Sequence, residues 1–312
     1  MKKGNELFGV ALKGLAMGIA EVIPGVSGGT IAFISGIYER LIQSIRNILG
    51  PELFRAWKSG GIREVWKTID GLFMVYLLGG MAVGLISGVF GVSHLLENYP
   101  QLLWAFFFGL IIASSLFVGR QVGRWNTVSI LSLVIGTGLA LWYTLAVPGQ
   151  GTDNPLFIFL AGAIAISALM LPGISGSFML VLMGMYSQII GSLKLLLKEQ
   201  DLASLTTIGL FALGCLLGLG LFSRVLSWLF RHFHDATMAA LTGFMLGSLN
   251  KIWPWKVVLE YRMNSKGIPE PLIEQNVWPW DFQGTPYVGG VLVLIALGML
   301  VVFLLEKYGT KK

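Results

Sequence analysis

The 312-residue chain is 55% hydrophobic and only 12% charged, with a formal net charge of +6. A soluble domain carries roughly a quarter charged residues, so the composition excludes a water-facing globule and leaves an all-α polytopic membrane protein, each span needing about 20 apolar residues. A single cysteine, Cys215, in an apolar run excludes a disulfide or zinc framework, and membrane topology explains the basic patches without a nucleic acid.

In chain order, Met1-Lys2-Lys3 precedes an apolar run as in a signal peptide. No small-residue cleavage site follows, so the segment is read as retained. A hairpin is predicted over 7–49, with Lys13 and Glu21 in its first arm and a break at Pro24-Gly25-Val26-Ser27-Gly28-Gly29-Thr30. Proline removes a backbone donor and turns the preceding residue away from helix. The arms before the breaks, 7–23 and 156–171, are 17 and 16 residues long, which favours re-entrant over fully spanning hairpins. Spans are predicted at 71–92, 102–119 and 127–147, then a second hairpin over 156–197 and further spans at 206–229, 237–249 and 287–305. The 251–284 loop mixes tryptophans with both charge signs and reads as a cap on the membrane surface. His94, His232 and His234 fall at helix ends and read as interfacial residues.

Six of the 22 basic residues (Lys194, Lys198, Lys251, Lys256, Arg262 and Lys266) thread to one side and sixteen to the other. Cytoplasmic loops carry the Lys/Arg excess, so both termini are expected in the cytoplasm. The second break, Pro172-Gly173-Ile174-Ser175-Gly176-Ser177, repeats the first at an offset of 148, at which Gly36 and Tyr38 also meet Gly184 and Tyr186. An offset of 134 then aligns Gly80 with Gly214, Gly84 with Gly218 and Gly109 with Gly243. The chain therefore reads as two repeats, 1–150 and 151–312. A hairpin followed by three crossings ends on the opposite side, so the repeats are expected to be inverted.

Each break precedes an apolar helix. Ser and Thr cap helix starts, whose free N–H groups and dipole attract anions. Ser27, Gly28, Gly29, Thr30, Ser175, Gly176 and Ser177 are the candidate ligands of an anionic headgroup, turned by Pro24, Gly25, Pro172 and Gly173. Paired helix starts at the midplane are a pattern of secondary transporters; tight small-residue packing is the structural alternative. Glu21, ionisable at membrane depth, is a candidate proton carrier, with an ion pair or backbone hydrogen bonds as its structural role. Arg40 is a candidate headgroup ligand or an anchor at the cytoplasmic edge. Gly25-Val26-Ser27-Gly28 also fits an intramembrane serine hydrolase, which needs a base beside the serine. No histidine falls within a predicted span. An anion channel is the other alternative.

The run from Gly14 to Thr30, with the second break and the Gly-x-Tyr that follows each, resembles the bacterial polyprenyl-phosphate transporter family (PopT-like) along essentially the whole chain. Ser177 stands where the first break has Gly29. The resemblance implies a flippase, not an enzyme, in the bacterial cytoplasmic membrane. It would return undecaprenyl phosphate from the outer to the inner leaflet for envelope polysaccharide and peptidoglycan precursor synthesis. The sequence has no ATP-binding motif, so the energy is expected from an ion or lipid gradient, with the proton, carried by Glu21, the expected coupling ion. Membrane lipids are expected partners, no cofactor is expected, and a second copy of the chain is left open as a partner.

Overall fold

The structure, a computed structural model, describes residues 2–23, 26–199, 201–263 and 269–309. Pro24 and Gly25, two of the expected turn residues, lie outside them. The first hairpin consists of α1 (Lys2–Glu21), α2 (Gly28–Ile34) and α3 (Tyr38–Ile48), and is followed by α4 (Pro51–Thr68). Helices α5 (Gly71–Asn98), α6 (Pro100–Arg120) and α7 (Thr127–Leu145) complete the first half of the chain. The second half repeats the order with α8 (Pro155–Met170), α9 (Gly176–Leu182), α10 (Tyr186–Glu199), α11 (Leu202–His232), α12 (His234–Ser248) and α13 (Val288–Gly309).

Helices α5, α6, α7 and α11 are each long and apolar enough to cross a membrane, and α9 with α10 forms an apolar pair bent by 109°. Their exposed residues are apolar as well; Phe90, Trp142 and Leu202 are among the most exposed side chains. A face of that kind is stable against lipid, which needs no polar cover. The chain is thus a multi-pass membrane protein.

Two elements lie outside the predicted hairpins and spans. The basic, tryptophan-bearing segment after α3 is helical, broken where Gly61 takes a φ of +60°, with Ala56 its one buried residue among those described. The 251–284 cap contains two strands, β1 (Lys256–Met263) and β2 (Pro269–Asn276), so the all-α expectation needs correcting by one antiparallel β-hairpin. Two adjacent valines and a tyrosine, residue types that favour extended backbone, support β1. Pro269 and Pro271 are tolerated in β2 because a two-stranded ribbon leaves each strand an open edge.

Glycines fix how the helices pair. A Cβ on Gly80 would strike the Ala11 carbonyl, and one on Gly84 the Leu15 carbonyl, so α1 and α5 touch backbone to backbone and run parallel. The positions at the matching offsets do the same: Gly214 sits against Phe159 and Gly218 against Ala163. Gly109 of α6 packs on Ile295 of α13, while Gly243 of α12 packs on Leu133 of α7. Small residues let membrane helices approach this closely. The pairings put the start of α1 and the start of α12 on one face and the β-hairpin on the opposite face. On the first face, Asp235 accepts hydrogen bonds from the Gly123 and Arg124 amides at 2.9 and 3.0 Å, tying the α6–α7 turn to α12. Those amides, Gly123 first, hold its carboxyl below the usual carboxylate range.

Candidate functional site

The two breaks are built alike. Ser27 and Ser175 are N-caps in extended conformation, the first bonding the Gly29 amide and the second the Phe178 amide. Both short helices close on a left-handed glycine, Gly36 at φ +71° and Gly184 at +70°. The amides after them return to matching carbonyls: Ile37 to Ala32 and Met185 to Leu180. A left-handed residue at this point satisfies the free carbonyls of a helix end, and glycine adopts it without strain.

The breaks meet each other. The Ser27 hydroxyl donates to the Leu169 carbonyl (3.3 Å), and the Tyr38 hydroxyl to the Met170 carbonyl (2.6 Å). The Gly173 amide donates to Thr30 Oγ1 at 3.0 Å, with Gly173 in the left-handed region at φ +82°. From α7, the Tyr143 hydroxyl donates to the Ser175 carbonyl at 2.8 Å. Residues of the first tip thus satisfy the carbonyls that α8 leaves without helical partners at its end. Polar groups surrounded by apolar helices are costly unless paired, and here they are paired across the two halves.

The predicted ligands occupy different positions. Ser27, Gly28, Gly29 and Thr30 are all buried, and both hydroxyls are engaged at the junction. Ser175 and Gly176 are buried too; the Ser175 hydroxyl lies 3.0 Å from that of Ser177. Ser177 is exposed and lines a cavity of about 530 Å³. Pro172 is buried behind it. Arg40 is separate from this group: its Nε lies 2.5 Å from Asp70 and its Nη1 3.5 Å from Glu6, with the guanidinium over the Phe73 ring.

Glu21 has a specific partner. Its Oε1 accepts the Gly28 amide at 2.7 Å, at the very start of α2. Only glycine allows this approach, because a Cβ at position 28 would lie 2.7 Å from that oxygen. Eight residues earlier on the same helix, Lys13 Nζ donates to the Ser35 carbonyl at 2.7 Å, at the end of α2. Seven helical residues span about 10.5 Å and eight about 12 Å, so α2 lies between an acid at its positive end and a base at its negative end. At the equivalent positions of the second hairpin stand Leu169 and Ala161.

For a hydrolase, Ser27 would need a base. Its hydroxyl meets the Gly29 amide and the Leu169 carbonyl, and that of Ser175 meets Ser177 and the Phe178 amide. Neither arrangement activates a nucleophile. Sequence reasoning passed over Lys251 and Lys256, which line the same cavity as Ser177. Their signal was two lysines on the side of the chain poorest in basic residues.

A family model described as undecaprenyl phosphate translocase-like matches residues 17–269. A polyprenyl-phosphate transporter of Vibrio cholerae is 43% identical over 304 residues, covering 96% of each chain. One from Staphylococcus aureus is 29% identical over 303 residues, covering 93% of this chain and 95% of the relative. No solved structure matches.

Proposed function

This chain belongs to the undecaprenyl phosphate translocase-like family, and from that premise we propose that it carries undecaprenyl phosphate from the outer to the inner leaflet of the bacterial cytoplasmic membrane. The observation that carries the reading is the polar junction of two broken helices inside an apolar chain. An ionised phosphate costs several kcal/mol to bury even after relaxation, whereas the isoprenoid tail can stay in lipid. A junction that opens first to one face and then to the other supplies the polar path.

Residues 1–150 and 151–312 are the two moving halves, inverted with respect to each other, with re-entrant hairpins and both termini cytoplasmic. The exchange of partners between halves, α6 with α13 and α12 with α7, supports an in-plane two-fold. The basic residues gathered on the α1 face support its cytoplasmic placement. Ser27, Thr30, Ser175 and Ser177 are the hydroxyls met by the headgroup as the junction opens. Glu21 takes a proton when it releases Gly28, coupling the step to the proton gradient. No bond of the lipid is made or broken.

The test is the amount of undecaprenyl phosphate exposed at the cell surface, with and without the protein, and with Ser27→Ala, Ser175→Ala and Glu21→Gln. Loss of the protein raises the exposed pool and leaves the lipid's chemical form unchanged. A change in chemical form would point to a phosphatase, and no change in the pool would sink the transport reading. Glu21→Gln abolishes the pH dependence of recycling; an unaltered pH profile would remove the coupling role.

A further inference from the structure

The cavity that Ser177 lines lies on the β-hairpin face, between α9, α6 and the strands. The Lys256 side chain is 6% exposed, its Nζ 4.1 Å from the centroid of the Trp104 ring. That ammonium has no hydrogen-bond partner among the described residues, although Glu274 Oε2 lies 3.5 Å away. The same oxygen accepts from Lys251 Nζ at 2.9 Å, and Lys251 stands over the Phe178 ring at 4.6 Å. A buried ammonium and a partly buried one thus share one carboxylate oxygen. Lys256 and Glu274 come together through strand register: Lys256 faces Asn276, and Val258 faces Glu274, putting the pair on a diagonal of one face.

A buried ammonium without its hydrogen bonds is costly, and a phosphate monoester supplies what is missing. It has three acceptor oxygens and a charge of about −1.5 to −2 at pH 7. We propose that this cavity binds a phosphate-monoester headgroup, with Lys251 and Lys256 on its oxygens, Ser177 donating to it, and Glu274 as the resident anion it displaces. Phe178, Leu96 and Phe282 line the cavity's apolar part, which accommodates the first carbons of an isoprenoid chain. The assignment rests on the transport reading for the identity of the lipid and places its point of entry on the β-hairpin face. Burial, with Lys251 beside it, pushes Lys256 down to about 8 despite Glu274. Burial works against the Glu274 charge, but the two lysines outweigh it and keep the carboxyl below its ordinary range.

The test is binding of tritiated farnesyl phosphate to the full chain in phosphatidylcholine nanodiscs, read by scintillation proximity. Lys256→Gln and Lys251→Gln each weaken binding at least tenfold, whereas Glu274→Gln tightens it severalfold, a gain that misfolding cannot produce. Wild-type affinity in Lys256→Gln, or loss of binding in Glu274→Gln, overturns the site and marks the cluster as structural. Displacement by unlabelled farnesyl phosphate, at concentrations where inorganic phosphate and farnesol are inert, supports a lipid headgroup. Equal displacement by inorganic phosphate overturns the lipid assignment, and equal displacement by farnesol overturns phosphate recognition. Normal surface-lipid recycling with binding unchanged in Lys256→Gln removes this site and leaves transport standing. Binding lost in Lys256→Gln, with no effect of the protein on the surface pool, does the reverse.

Discussion

The two hairpins share a backbone and differ in charge. In the first, Glu21 and Lys13 bracket α2 at its two ends; in the second, Leu169 and Ala161, which carry no charge, stand at the equivalent places beside α9. Their exposure differs in parallel: α2 is buried along its whole length, while Ser177 of α9 faces a cavity. Equal geometry with unequal electrostatics sets the two tips apart. The first tip is closed over by its neighbours, and the second already has one hydroxyl, that of Ser177, on a cavity.

Stripping the bracket is the strongest way to break this contrast. Glu21→Leu copies the second hairpin and leaves the Gly28 amide buried without its acceptor, a loss of about 1–3 kcal/mol. Lys13→Ala copies Ala161 and gives up a charge-assisted bond of similar worth. Thermal unfolding in detergent, followed by tryptophan fluorescence, reads both losses. Hydrogen exchange reads the local effect: amides of α2 exchange more slowly than those of α9 in the wild type and converge in Glu21→Leu. Exchange that is already equal in the wild type would end the comparison.

The paired glycines sharpen it at a smaller scale. Alanine at either Gly36 or Gly184 carries the left-handed penalty of roughly 1–2 kcal/mol. At Gly36 the new methyl group meets open space, whereas at Gly184 it runs into the 149–151 segment. Gly184→Ala should therefore cost more by about 1–3 kcal/mol of overpacking, seen as a lower melting temperature. Equal melting points would mean that the second tip gives way as freely as the first.

The smallest effect is in pH. Lys256, held at about 8 by burial, loses its proton as pH rises, and phosphate affinity falls with it. The groups that face it are Glu274, Lys251 and the Trp104 ring. Between pH 7.5 and 8.5 the protonated fraction drops about threefold for a group titrating at 8, and farnesyl phosphate binding should follow. Below about pH 6 the phosphate itself takes up a proton, so affinity declines on that side too. A Lys256→Gln profile with the same alkaline limb would assign the limb elsewhere.

Much of this was legible because it is local. Ser27 and Ser175 announce their caps, Gly36 and Gly184 their turns, and the long apolar runs their spans. The strands were hidden by Pro269 and Pro271 in β2, which argue against a strand unless both edges are open. The helical character of α4 was hidden by Gly60-Gly61, a pair that interrupts helical periodicity. The Glu21–Gly28 bond depends on how the chain turns between them, and a seven-residue separation does not specify that. Lys251, Lys256 and Glu274 become neighbours only through strand register, so the seventeen residues of chain between Lys256 and Glu274 concealed them. Arg40 was legible as a charge near the membrane edge, but its partners, Glu6 and Asp70, lie 34 and 30 residues away.

The tip junction has a consequence for biosynthesis. The partners of Ser27, Tyr38 and Thr30 lie 132 to 143 residues further along the chain. While the ribosome is still making the first half, those hydroxyls have no α8 carbonyls or Gly173 amide to meet. The short first arm, with Lys13 and Glu21 in it, also lacks the parallel groove of α5 until that helix has been inserted. The first hairpin, made well before α8, is therefore among the last parts to be completed, and a fragment ending before α8 would hold it open to whatever polar groups the surrounding membrane and its chaperones provide.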